Sequence, residues 1–138
     1  MEPVMEHVKV VMRYTDGSLI KGYTNDFYPN KPLFHVHPAE NDPADKAIEV
    51  RVGELKAVFF VKDFAGNPSY NERNSFEEGT SITGRKIEVT FTDGEVLVGT
   101  TVGYAPNRQG FFVQPADTES NNLRVYAVSS AVKKVRFL

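Results

Sequence analysis

Slid along itself by 77 positions, this chain aligns Val8 to Val61 with Arg85 to Leu138 without a gap. At that offset Lys9, Thr15, Asp16, Gly17, Gly22, Thr24, Pro29, Asn30, Phe34, Val36, Pro38, Ala39, Lys56, Val58 and Phe60 each meet an identical residue. Conservative matches lie between them, as in Tyr14 with Phe91, Ile48 with Val125 and Leu55 with Val132. An ungapped match of this length means one folding pattern written twice. Each copy spans roughly 55 residues, too few to bury a comfortable core alone, so the partner each copy needs is the other. The organisation expected is a first unit over 1–61, a linker over 62–84 and a second unit over 85–138.

Each copy reads as β. Val8, Val10, Met12 and Tyr14 alternate with Lys9, Val11 and Arg13, and Ile87, Val89 and Phe91 alternate with Lys86, Glu88 and Thr90, a period of two rather than of a helix. "TDG" then turns the chain in both copies. A two-residue turn would set Lys21 across from Met12, whereas a three-residue turn with Gly17 or Gly94 left-handed sets Ile20 across from Met12 and Leu97 across from Val89. The second register pairs apolar with apolar and is the one expected. It places Gly22 opposite Val10 and Gly99 opposite Ile87, where a glycine inside a strand marks a sharp bend. Phe34 and Val36, like Phe111 and Val113, face one way in a third strand that Pro38 or Pro115 closes. Two more short strands follow, parted only by "GEL" or "SSAV". Five short strands with a bent second one and a tight break before the last describe a small barrel, so the fold class is all-β: two tandem five-stranded barrels packed as a pseudo-symmetric pair.

The stretch "IEVTFTDGEVLVGTTVGYAPN" resembles the first half of the Sm motif, and each copy as a whole is similar to Sm-like and SH3-like small barrels and to a family of uncharacterised bacterial domains. In the Sm family RNA is held by an aspartate and asparagine after the second strand and by an arginine-glycine pair before the last. The resemblance places Asn30 and Asn107 near the first element, each preceded by a proline, Pro29 and Pro106, with no matching aspartate. At the second element stand Gly53-Glu54 and Ser129-Ser130, with no arginine. "RYTDGSLIKG" similarly resembles the cyclic-dinucleotide motif of PilZ barrels: Asp16 and Ser18 match, Gly22 lies one residue too far, and Arg13 is the single preceding arginine.

Composition narrows the function classes. With 41% hydrophobic and 12% aromatic residues the chain has material for a core, and 16 basic against 18 acidic residues leave a net charge of -2 that attracts neither nucleic acid nor anionic membrane. Cysteine is absent, which removes disulfides, thiolate nucleophiles and cysteine-bound zinc and fits a reducing compartment. The start "MEPVMEHVKVV" is acidic where a signal peptide is basic, and no apolar run reaches spanning length, so a cytoplasmic protein without membrane contact is expected.

His35 and His37 share one face of a strand at a spacing from which both could reach one metal, yet the second copy has Phe112 and Gln114 there and no third ligand is evident. No catalytic, cofactor or metal residues are singled out. The candidate interaction surface is the outward face of the third strands, His35, His37, Phe112 and Gln114, together with Asn107 and Arg108 in the preceding loop. Phe112 is expected to be covered by the sister unit or by the linker, whose Phe64, Tyr70 and Phe76 argue for packing rather than free swinging. The function expected is a non-enzymatic binding or regulatory module, an interaction or signalling adaptor whose partner is a protein. The alternatives are a cyclic-dinucleotide sensor of PilZ type and an Sm-type RNA binder.

Overall fold

Both "TDG" turns fold as three-residue loops. Gly17 N donates to Tyr14 O (3.1 Å) and Tyr14 N to Ser18 O (3.0 Å), and the second copy repeats the pattern with Gly94 N to Phe91 O (2.9 Å) and Phe91 N to Glu95 O (2.9 Å). Gly17 and Gly94 carry φ of 92° and 91°, a region that side chains with a Cβ avoid. The register is the apolar one, Met12 opposite Ile20 and Val89 opposite Leu97, with Gly22 opposite Val10 and Gly99 opposite Ile87.

The computed structural model describes residues 8–39, 47–65, 76, 84–117 and 119–138; Tyr70 and most of the linker lie outside them. Among the described residues the strands are β1 (Val8–Tyr14), β2 (Leu19–Thr24), β3 (Leu33–Pro38), β4 (Ile48–Arg51), β5 (Leu55–Val61), β6 (Arg85–Phe91), β7 (Val96–Thr101), β8 (Gly110–Pro115), β9 (Asn122–Val128) and β10 (Val132–Phe137). Single 3-10 turns, Val52–Glu54 and Ser129–Ala131, stand before the last strand of each half. No helix among the described residues is long and apolar enough to cross a membrane. All strand pairs are antiparallel, and the order across the sheet is β10-β6-β7-β8-β9-β5-β1-β2-β3-β4.

That order corrects the expectation of two closed five-stranded barrels: the ten strands make one open sheet. The reason lies in what the closing strands bond to. To close the first half, β5 would have to pair with β4; it pairs instead with β1 on one side and with β9 of the second half on the other. In the second half β9 is likewise committed to β8 and β5, which leaves β10 paired with β6 alone. Each half still curls around its own apolar cluster. Val10, Met12, Phe34, Val36, Val50, Val58 and Phe60 fill the first, and Ile87, Val89, Phe91, Leu97, Phe111 and Val113 fill the second.

The β5–β9 seam feeds both clusters, because alternate side chains of a strand face opposite ways. From β9, Tyr126 and Val128 enter the first-half cluster while Val125 and Ala127 enter the second. From β5, Val58 and Phe60 face the first and Ala57 and Phe59 the second. Local details recur at the same 77-residue spacing: Thr24 Oγ1 donates to His35 O and Thr101 Oγ1 to Phe112 O, both at 2.8 Å. Phe27 meets Phe34 and Phe60 edge-on with centroids 5.0 and 5.5 Å apart, and Tyr104 meets Phe111 and Phe137 at 4.9 and 5.5 Å.

Lys56 ties the seam electrostatically. It is 4% exposed, and its Nζ crosses from β5 to donate to Asp93 Oδ2 (2.7 Å) and Glu95 Oε1 (2.9 Å) in the second turn, over the Phe91 ring at 4.8 Å. The hydrogen bond from Lys56, with one from Glu95 N, holds the Asp93 carboxyl below its ordinary value of 3.8. A carboxyl depressed in the fold stabilises it above its unfolded pKa and gives that up as pH falls through the folded value. The half-exposed carboxylates are screened by water, so the pair is modest as a source of stability; an unpaired buried ammonium is costly.

Two outcomes are expected. Gly94→Val should destabilise by about 1 kcal/mol or more through backbone strain alone, since no atom lies within 4 Å of the added Cβ; an unchanged urea midpoint would contradict the turn. Asp93→Asn with Glu95→Gln should cost about 1 to 2 kcal/mol near neutral pH, whereas Lys56→Met should be close to neutral there and should lessen the loss of stability below pH ~4. Equal losses in both variants in urea unfolding at neutral pH would contradict the buried-cation account.

Candidate functional site

The two halves meet around an aromatic group that neither could assemble alone. Phe27, in the loop after β2, lies edge-on to Tyr126 of β9 with centroids 5.0 Å apart, and Phe112 of β8 packs on Tyr126 at 5.0 Å, on Phe60 at 6.0 Å and on Phe27 at 6.1 Å. Phe112 is thus half-buried against the core of the first half, although its own strand belongs to the second. Opposite faces of β8 explain this: Phe111 and Val113 point into the second cluster, so Phe112 turns toward the first.

Gly110 makes room for Tyr126. A Cβ there would lie 2.5 Å from both Tyr126 Cε2 and Ala127 O, so the ring crosses this position only because it is glycine. The Tyr126 hydroxyl donates to Pro29 O (2.9 Å), and Gln109 Nε2 donates to Pro29 O (2.8 Å) and Lys31 O (2.7 Å). These bonds pin the loop between β2 and β3 to the second half. Burial raises the Tyr126 phenol above its usual value of 10.0, an effect that a hydrogen bond with Gln109 and the nearby Arg108 charge oppose in part.

Beside this contact opens a cleft of about 610 Å³, lined by Pro29 and Asn30 from the first half and by Val102, Gly103, Arg108 to Phe112 and Tyr126 from the second. That volume is in the range of small-molecule sites. Arg108 is the single charged residue of the lining. Among the described residues neither its side chain nor that of Asn30 has a hydrogen-bond or ion-pair partner. A second guanidinium lies close by: Arg124 sits 4.4 Å over both the Phe60 and the Phe112 ring, where burial lowers its pKa. Cations stacked on aromatic faces in this way keep their N–H edges free for an acceptor.

Of the residues singled out from sequence, the structure brings Phe112 and Arg108 to this cleft. Asn107 is exposed in the turn that Arg108 N closes on Ala105 O (3.3 Å), next to the lining but not part of it. Gln114 is exposed further along β8. His35 and His37 lie on β3 outside the cleft; the Asp26 carboxylate accepts from His35 N (2.9 Å) and Nδ1 (2.7 Å), which makes His35 part of a loop anchor. Burial would raise the Asp26 carboxyl, but the hydrogen bonds from His35 and Thr24 outweigh it and hold it below 3.8. Among the described residues no group of three or more His, Cys, Asp or Glu is placed to hold a metal ion. The residues of the PilZ resemblance serve the first turn: Asp16 Oδ1 accepts from Ser18 N (2.8 Å) and Ser18 Oγ (2.6 Å). From the linker, Phe64 meets Tyr23 edge-on at 5.1 Å, and Phe76 lies under Lys86 at 4.9 Å.

Tyr126, Gln109 and Gly110 were not singled out from sequence, yet a signal for them exists. At the equivalent places of the first half stand Glu49, Pro32 and Leu33, just as His35 stands for Phe112 and Lys31 for Arg108. The cleft is lined largely by positions at which the two copies differ. No curated protein and no solved structure matches this chain. The model of a family of unknown function, DUF6982, matches residues 6–138, a span that holds both halves and every residue of the cleft, and this chain belongs to that family.

Proposed function

We propose that this chain is a cytoplasmic, non-enzymatic binding or regulatory module, built from two relatives of the Sm-like and SH3-like small barrels, whose binding site is the cleft at the seam. The observation that carries this reading is Arg108, the single charged residue lining an apolar cleft made jointly by both halves and without a hydrogen-bond or ion-pair partner among the described residues. Such a combination of apolar walls and few convergent polar groups is the usual make-up of a ligand site. A ligand seated there touches the loop of one half and the strands of the other, so its binding energy adds to the cohesion of the seam. An adaptor role follows from that linkage: occupancy of the cleft biases how firmly the two halves are held together.

A titration of isotope-labelled protein with nucleotides, cyclic dinucleotides, short RNAs and organic acids tests the reading. Shifts concentrated at residues 108–112 and 126, with the ligand recovered chemically unchanged, are expected. Shifts centred on Arg13, Asp16 and Ser18 with a cyclic dinucleotide would replace this site with the PilZ-type one, and turnover of any compound would contradict a non-enzymatic role.

A further inference from the structure

The donors and acceptors of the cleft restrict what can fill it. Gln109 spends its amide N–H groups on Pro29 O and Lys31 O, and the Tyr126 hydroxyl spends its proton on Pro29 O. The remaining side-chain polar groups of the lining are the guanidinium of Arg108, with five N–H donors, the amide of Asn30 and the Gln109 amide oxygen, an acceptor. No carboxylate lines the cleft, and Arg124 adds a second positive charge on the Phe112 ring. The other walls are the accessible apolar surfaces of Pro29, Val102 and the half-buried Phe112 ring, with the buried Phe111 and Tyr126 behind them. A volume of about 610 Å³ is in the size range of a small organic molecule.

We infer that the seam cleft takes a small organic anion with a flat apolar body, its carboxylate or phosphate head on Arg108 and its body against Phe112, Pro29 and Val102. This rests on the reading of the cleft as the binding site. Guanidinium recognition of carboxylate or phosphate is bidentate and charge-assisted, so the head group contributes affinity that a neutral hydroxyl cannot match. The Phe112 ring accepts a second ring edge-on or offset. Head and body are both needed, which separates this site from a patch that collects inorganic ions.

Four probes on the full chain test it, followed by amide shifts: 2-naphthoate, 2-naphthyl phosphate, 2-naphthylmethanol and inorganic phosphate. One or both naphthyl anions should shift residues 108–112 and 126 and bind at least roughly tenfold more tightly than 2-naphthylmethanol, as expected for a charge-assisted pair. The stronger of the two anions identifies the head group. Inorganic phosphate alone should leave these signals in place. Arg108→Gln, an exposed position whose change should leave the melting temperature as it is, should erase the preference for the anions. Equal binding of the alcohol and the anions, or an anion preference that survives in Arg108→Gln, would overturn the ligand class while leaving the cleft as a binding site. Absence of shifts at 108–112 and 126 with every probe would overturn the site itself.

Discussion

Because alternate side chains of a strand face opposite ways, a strand shared by two cores has to be apolar nearly throughout, and β5 and β9 meet that demand at their centre. β5 reads Leu55 to Val61 with six of its seven residues buried, and β9 runs Val125 to Val128 buried on both faces. Each half borrows part of its core across this ladder, the first from Tyr126 and Val128 and the second from Ala57 and Phe59. Small units that cannot bury enough surface alone gain stability in this way without closing on themselves.

The end strands show the opposite composition at equivalent places. Where β9 has Tyr126 and Val128, β4 has Glu49 and Arg51; where β5 has Ala57 and Phe59, β10 has Lys134 and Arg136. Halves joined head to tail leave one unmatched edge at each end of the sheet, and charged residues on an edge strand discourage it from pairing further. The two halves thus differ where one joins and the other stops.

The hairpins were legible in the sequence because a period of two, a turn glycine and apolar pairing across Met12–Ile20 and Val89–Leu97 all favour one register. The open sheet was not, since closure depends on which strand β5 pairs with, and local pattern does not encode that choice. A trace of it was present: after Lys56, "AVFFV" is a continuous apolar run, the pattern of a strand covered on both faces, whereas "VKKVRF" carries three charged residues in six. The site was half legible. Phe112 and Arg108 stood out as an outward aromatic and a loop cation, but Tyr126 and Gln109 become visible only when each position is compared with its counterpart 77 residues away. His35 misled because its Asp26 partner comes from a loop nine residues earlier, with Gly103 in its place in the second copy.

If the seam is what both cores depend on, neither half can unfold while the other stays intact. The most direct measurement is a urea titration of the full chain that follows the methyl signals of Val36 in the first cluster and Val113 in the second. The two should disappear at one midpoint with one slope, a single cooperative transition. Separate midpoints, with Val113 holding its native shift after Val36 has lost it or the reverse, would show two independent cores and contradict the account.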